Sequence, residues 1–423
     1  MNIKNITIEN FRGVRNFSYG CSASLNVFAG VNGAGKSTVL CAVDILLGWL
    51  ISRLRNAKGR GYNLTDADIT GGCDYCLLKI VVSYRGQDVS WQLYKQKSTV
   101  RTKPANKSSL EQLTMLANGI ISDNEANADM ACLPLFAFYG VTRIVDSTPI
   151  RIRKRHAMAM IDTYDSKNEG QANYRSLFAW FRELEDIENA NYRETGVLTE
   201  NVQLKAVRKA IVDTVPGFEE LKVKRSPRGF VIKKNGQEFR FDQLSDGEKA
   251  YIAIVADIAR KLGMTHPSLQ DPLQATGIVM IDEVDLHLHP SWQWEVVPQL
   301  AKTFPQVQFF MTTHSPYVLT NVNMRSGQKV FFMKEGEAVE ASSTIYGKRV
   351  ESILFDNQGM QSVRAREVEE KISALMALMK TNDIDSAEFL SLKDWLAQNV
   401  SKSDPLFGDI AVQECLIRKK QRG

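Results

Sequence analysis

Histidine is scarce, cysteines are scattered, and the chain shows neither a long apolar run nor a strong excess of one charge. Only five histidines and six cysteines occur in 423 residues. Of the cysteines, only Cys73-x-x-Cys76 has ligand-like spacing, and no second pair or nearby histidine completes a tetrahedral zinc set. No apolar run approaches the roughly 18 to 20 residues needed to span a bilayer. The start, MNIKNITIENFRG, lacks the apolar centre of a secretory signal. The expectation is therefore a cytoplasmic protein with no membrane contact. A net charge of +5 and a pI near 8.7 are far from the asymmetry of a dedicated nucleic-acid binder. No heptad pattern persists over several turns, which excludes a long coiled-coil arm.

What is present is ordinary in bulk and specific in detail. Hydrophobic residues at 44% and charged residues at 24% describe a folding chain rather than a disordered one. The length suits one large α/β domain with an insertion, or two or three smaller domains. Ile3 to Glu9 alternates as an edge strand would, and Ser24 to Ala29 reads as a short buried strand. Next comes Gly30-Val-Asn32-Gly33-Ala-Gly35-Lys36-Ser37-Thr38, matching G-x-x-x-x-G-K-[ST] and opening an apolar helix from Val39 to Leu50. Strand, glycine loop and helix in this order form a phosphate-binding loop. The glycines let backbone N–H groups turn towards an anion, and the helix start adds the positive end of its dipole. Lys36 is then placed to reach terminal phosphates and Ser37 to hold Mg2+.

The middle of the chain is less legible. Strand-like runs cover Cys76 to Tyr84, Asp88 to Tyr94 and Leu133 to Tyr139, while 53–60 and 95–107 read as basic loops. Leu177, Phe178, Trp180, Phe181, Leu184 and Ile187 recur at helical spacing with acids between them. A second helix runs from about Asn201 to Val215, stopped by Pro216-Gly217.

Three further motifs follow. Leu244-Ser245-Asp246-Gly247-Glu248 precedes an apolar helix over Tyr251 to Leu262; alone, it reads as an N-cap with first-turn acids. The apolar strand Gly277 to Ile281 ends in Asp282-Glu283-x-Asp285-x-His287-x-His289. By residue type this is either a metal nest or one part of a larger site. Val307 to Thr313 is another buried strand, ending in His314-Ser315-Pro316. The two histidines before Pro290 fit helix-start scaffolding, because proline suits a first helical turn.

Glycine loop, LSDGE, strand plus Asp-Glu and strand plus His-Ser, in this order, resemble the ATP-binding-cassette-type ATPases, and within them the SMC, RecF and overcoming-lysogenization-defect group. That resemblance implies an α/β head built from residues 1–50 and 240–345, with 51–239 as a β-subdomain and helical lid. Residues 346–423 would form a C-terminal helical region for assembly or partner docking. Leu133-Pro-Leu-Phe-Ala-Phe-Tyr-Gly-Val-Thr-Arg143, Trp180 to Asn189, Tyr346-Gly-Lys-Arg and the tail near Ile417 are similar to PtuA-type ATPases. These belong to the Septu and some retron anti-phage systems and act with an HNH nuclease. The PARIS-type ATPase, which holds a Toprim nuclease, is the nearest competitor.

The resemblance implies ATP and Mg2+ as ligands and a homodimer or higher homo-oligomer in which two heads sandwich two nucleotides. Gly30, Asn32, Gly33, Gly35, Lys36, Ser37, Thr38 and Arg12 would contact the nucleotide of their own chain, and Ser245, Gly247 and Glu248 that of the other. Asp282 with Ser37 would hold Mg2+, Glu283 would activate water, His314 would sense the γ-phosphate, and Asp285 would face the second chain. Relatives carry a glutamine where this chain has Tyr139-Gly-Val-Thr-Arg143. Either Arg143 touches phosphate in its place or the loop aligns differently; hydrolysis would then be slow, with ATP acting mainly as a conformational ligand.

The tail carries an apolar stripe of Val368, Ile372, Leu375 and Met379, then a helix to Leu396 capped by Asp385. Asp383-Ile-Asp385 lacks the strands and upstream glutamate of a Toprim site, and no HNH constellation occurs, so the nuclease is a separate chain. The competing reading is a RecF-like repair ATPase that binds DNA itself through basic loops, Arg151 to Arg155 and the run of Lys222, Lys224, Arg225 and Arg228.

Overall fold

The short apolar runs become the parallel middle of a mixed sheet. A computed structural model describes residues 1–104, 106–128, 131–142, 160–164, 174–197, 199–226, 228–341, 345–357, 359–360 and 362–421. The chain divides into two compact units, Met1–Val350 and Glu351–Gly423.

The first unit contains, among the described residues, the strands β1 (Asn2–Phe11), β2 (Val14–Gly20), β3 (Leu25–Ala29), β4 (Tyr75–Tyr84), β5 (Gln87–Gln96), β6 (Leu135–Tyr139), β7 (Phe218–Arg225), β8 (Arg228–Lys234), β9 (Gln237–Arg240), β10 (Gly277–Ile281), β11 (Val307–Thr313), β12 (Lys329–Lys334) and β13 (Glu337–Glu340). Ten form one sheet in the order β5-β4-β1-β2-β13-β12-β3-β11-β10-β6. From β12 to β6 every pairing is parallel. β3, β10 and β11 are buried along their whole length, as strands covered on both faces must be.

β1 is not the edge strand its alternation suggested. It lies between β2 and β4, antiparallel to both. Alternation reports one buried face, and an interior antiparallel strand has one as well. A register shift between Ile3 and Asn5 puts Ile3 in the core with Ile6 and Ile8, and Phe11 joins them beyond Asn10, which takes left-handed backbone at φ +54°.

The helices of this unit are α1 (Lys36–Arg55), α2 (Glu111–Ala126), α3 (Tyr174–Thr195), α4 (Val202–Thr214), α5 (Asp246–Thr265), α6 (Pro290–Thr303) and α7 (Pro316–Leu319). α1 runs five residues beyond its predicted end, so Arg53 and Arg55 are helical rather than loop. Contrary to the run-length reading, α1 is long and apolar enough to pass for a membrane span by length and composition. More than half of its apolar stretch is buried inside the fold, where Leu40, Val43, Leu46, Leu47 and Leu50 join the main core.

The stretch expected to form a lid carries more than helices. β7, β8 and β9 form a separate antiparallel sheet, hidden from pattern reading because Leu221 and Val223 point inward between charged residues. Several of those charges are matched. Lys222 pairs with Glu238 at 2.7 Å, Lys233 with Glu219 at 2.8 Å, and Arg225 with Glu185 and Asp186. The run Arg151 to Arg155 lies outside the described residues.

α8 (Val350–Asp356) leads into the second unit, which holds α9 (Arg366–Lys380), α10 (Ala387–Asn399) and α11 (Pro405–Gln421). Leu375, Met379, Ile384, Phe389, Leu396, Leu406 and Ile410 form its own small core. The cap of α10 is Ser386, whose hydroxyl oxygen accepts from the Phe389 N–H at 3.2 Å, not Asp385 as the sequence suggested. Asp385 instead pairs with Arg418 at 3.1 Å.

Candidate active site

Because β3, β11, β10 and β6 are neighbours and parallel, their carboxyl ends lie side by side. That edge gathers the glycine loop, His314, Asp282-Glu283 and Tyr139. In the loop, Gly33 and Gly35 take φ of +78° and +99°. A Cβ on Gly30 would stand 2.4 Å from the Met333 carbonyl oxygen, so only glycine fits there. α1 begins at Lys36 with no side-chain cap and no acid in its first turn. Its leading N–H groups are thus offered to an anion.

Lys36 is buried and folded back over the loop. Its ammonium donates to the Gly30 and Val31 carbonyls, both at 3.0 Å, and to Nε2 of His314 at 2.7 Å. Burial pulls the Lys36 ammonium below its ordinary value, while Glu283, Asp282 and Asp285 oppose that shift. Burial, followed by the charge of Lys36, holds His314 below its ordinary value too. The imidazole is therefore neutral at pH 7, with Nε2 as acceptor and the proton on Nδ1. The same Nε2 lies 3.9 Å from Glu283 Oε1.

Asp282 is fixed from three sides. Its N–H donates to the Tyr139 carbonyl at 2.8 Å, and Oδ1 accepts from Ser37 Oγ at 2.9 Å and from Thr312 Oγ1. Glu283 sits in left-handed backbone at φ +48°, with its N–H donating to Thr312 Oγ1 at 2.6 Å. That conformation costs about 1–2 kcal/mol for a residue with a Cβ. Thr313 Oγ1 in turn donates to Asp285 Oδ1. Pattern reading missed these two threonines, although a polar pair closing an otherwise apolar buried strand was the available signal.

Lys36, Ser37, Asp282, Glu283, Asp285 and His314 thus come together. Arg12 is held elsewhere by Asp68, with its Nε 2.7 Å from Oδ1, and its Nη1 also reaches Cys41 on α1 at 3.1 Å. Asn32 is exposed in the loop, Thr38 is half-buried in α1, and Arg143 lies outside the described residues.

The LSDGE segment forms a second group. Ser245 caps α5 through a capping box: the Glu248 N–H donates to Ser245 Oγ at 3.3 Å, and the Ser245 N–H donates to Glu248 Oε2 at 3.0 Å. The Ser245 hydroxyl also donates to Oε2 at 2.9 Å, and Lys234 of β8 binds the other carboxylate oxygen. A Cβ on Gly247 would meet the His287 carbonyl oxygen at 2.1 Å. Gly247→Ala is accordingly expected to destabilise the protein by about 1–3 kcal/mol through overpacking against immovable backbone, read as a lowered urea midpoint. His287, at φ +61°, supplies that carbonyl, and His289 caps α6 by accepting from the Ser291 N–H at 3.3 Å. Both histidines are employed as scaffolding.

One buried network was invisible in the sequence. Asp257 of α5, fully buried, accepts from the Tyr139 hydroxyl at 2.9 Å and from Arg260 Nη2 at 2.6 Å, and lies 2.9 Å from the Lys261 ammonium. Tyr139 therefore joins α5 through its side chain to Asp282 through its carbonyl.

The sequence family described as "AAA domain" matches residues 5–224, a little over half of the chain. The chain belongs to the AAA-domain ATPases. A second family, described as "AAA domain, putative AbiEii toxin, Type IV TA system", matches residues 145–320. This AAA ATPase is 27% identical to the "Retron Ec83 probable ATPase" of Escherichia coli over 89% of its own length and 79% of that protein's. It is also 27% identical to the "Retron Vc95 probable ATPase" of Vibrio cholerae, over 92% and 86%. Against the "Septu protein PtuA" of Bacillus mycoides the identity is 28%, over 75% of this chain and 38% of that one. In sequence this AAA ATPase is thus similar to retron and Septu ATPases.

Proposed function

We propose that this ATPase holds Mg-ATP between two copies of the chain and uses that contact to control a separately encoded nuclease of HNH type in anti-phage defence. The observation that carries the reading is the meeting of Lys36, Ser37, Asp282, Glu283 and His314 at one sheet edge. The donor set suits the ligands: a glycine loop, an uncapped helix start and an ammonium for phosphates, and a hydroxyl and a carboxylate oxygen 2.9 Å apart for a hard cation. Ser37 and Asp282 would hold Mg2+, which when bound supplies neutralisation of phosphate charge. Lys36 would exchange the Gly30 and Val31 carbonyls for phosphate oxygens. Glu283, locked at its backbone, orients the attacking water and takes its proton. Neutral His314 lies between Lys36 and Glu283 and reports the state of both.

Ser245 and Gly247 would close the site from the second copy, which requires the Ser245 hydroxyl to turn away from Glu248. Asp285 would face that copy, and Arg143 would stand in for the glutamine that related ATPases carry. Six free cysteines suit a reducing cytoplasm. The retron and Septu names of the relatives support a role in defence. A repair ATPase that binds DNA itself has less support, since Lys222, Lys233 and Arg225 each face a carboxylate.

Equilibrium ATP binding tests the reading. Lys36→Ala removes a charged phosphate partner worth about 1.5–3 kcal/mol, so affinity is expected to fall about ten- to hundredfold; an unchanged Kd overturns the assignment. Co-purification from the native operon tests the partner, and recovery of the ATPase with no nuclease removes that half of the proposal.

A further inference from the structure

We propose that the outward face of α11 pairs, antiparallel and two-fold symmetric, with the same face of a second copy of this chain. The rotation of α11 about its axis is set by what it buries. Leu406 and Ile410 enter the core of the C-terminal unit. Lys393 binds Glu414, and Arg418 binds Asp385 at 3.1 Å. At about 100° per residue, the opposite side carries Asp409, Val412, Leu416 and Lys419, all exposed. Val412 is 61% and Leu416 56% exposed, so two apolar side chains one turn apart face solvent.

A lone exposed valine or leucine needs no explanation. Here the order does. Asp409-x2-Val412-x3-Leu416-x2-Lys419 reads the same in both directions, with the apolar pair inside and opposite charges at its ends. A two-fold axis at the level of Glu414 sets Val412 against Leu416 of the second copy and Asp409 against its Lys419, each contact made twice. That reciprocity defines an isologous interface. A parallel pairing would place aspartate on aspartate and lysine on lysine, so the charges select the antiparallel orientation. The seam spans only about 15 Å. It is too small to hold a dimer alone and acts as a second point of attachment beside any other contact between copies. It needs no nucleotide, so it stands or falls separately from the ATP-sandwich reading.

Cys415 provides the test. It is the one exposed cysteine of the six, and it lies one residue from the level of the axis. The two-fold leaves both copies of Cys415 on the same flank of the pair. Treating the full-length purified protein with a short bismaleimide, without nucleotide, is expected to give a covalent dimer that Cys415→Ser abolishes. Val412→Arg and Asp409→Lys should each lower the yield at least about tenfold, with helix content unchanged by circular dichroism. The double exchange Asp409→Lys with Lys419→Asp should restore it, which a merely local role of either residue would not produce. Absence of dimer in the wild type, or a yield indifferent to Val412→Arg, overturns the proposal. So does a wild type that stays monomeric here while Val412→Arg loses a co-purifying nuclease, since the face then belongs to that partner.

Discussion

Glu283→Gln is expected to lower ATP turnover by about two to three orders of magnitude while ATP affinity stays within a few-fold of wild type. The substitution keeps the shape of the side chain and removes its basicity. It leaves the local backbone alone, because that backbone is held by the Glu283 N–H on Thr312 and by φ +48°, neither of which involves the carboxylate. Asp282 keeps its bonds to Ser37, Thr312 and the Tyr139 carbonyl, so the contacts proposed for the cation and phosphates are not disturbed. Single-turnover phosphate release, measured beside equilibrium nucleotide binding, separates the two quantities. A variant that binds ATP normally and turns over normally places the base elsewhere. A variant that loses both has instead lost its fold, which a thermal melt reports.

The second large effect concerns stability. Asp257→Ala is expected to cost about 3–5 kcal/mol, since removing one member of a buried ion pair leaves the others uncompensated. Arg260 and Lys261 would keep their charges beside the cavity, and the Tyr139 hydroxyl would lose its acceptor. Burial opposes ionisation of Asp257, but Lys261 and Arg260 outweigh it and hold the carboxyl at about 2. The folded state therefore binds this proton less readily than the unfolded chain, whose aspartates titrate near 3.8. The stabilisation is complete above about pH 4 and is lost as pH falls towards 2. Urea titrations at several acid pH values should show wild-type stability falling through that window and a flatter profile for the variant. Equal slopes would mean that Asp257 does not carry the acid sensitivity.

The legible parts of this protein were those in which local chemistry repeats. The bounds of β10 and β11 followed from apolar runs, because a strand covered on both faces has no other way to be written. The glycine loop followed from glycine spacing, which backbone conformation imposes directly, although α1 starts at Lys36 rather than at the expected Val39. Less legible were elements whose partners are remote. β7 and β8 look charged throughout, and only the ion pairs with Glu185, Glu219 and Glu238 show where those charges go. β1 was recognised as a strand but misplaced at an edge, since alternation does not say what lies beside it. Thr312 carries no motif of its own and Tyr139 stood out only within the Leu133 to Arg143 stretch; the importance of both comes from Asp282, to which they are bonded.

The stretch Asp282 to His289 shows where the division falls. Sequence alone set the strand, the carboxylates at its end and the glycine loop some 245 residues earlier, and motif order, through the family resemblance, implied that the two meet. Only the tertiary structure decided which neighbours share the work. It assigned Asp282 to Ser37, Asp285 to Thr313, His314 to Lys36 and the His287 carbonyl to Gly247. The reason is physical. A motif is written along the chain, where backbone geometry acts over a few residues, whereas hydrogen bonds and contacts close over about three ångströms in space, between strands whose neighbours the chain order does not reveal.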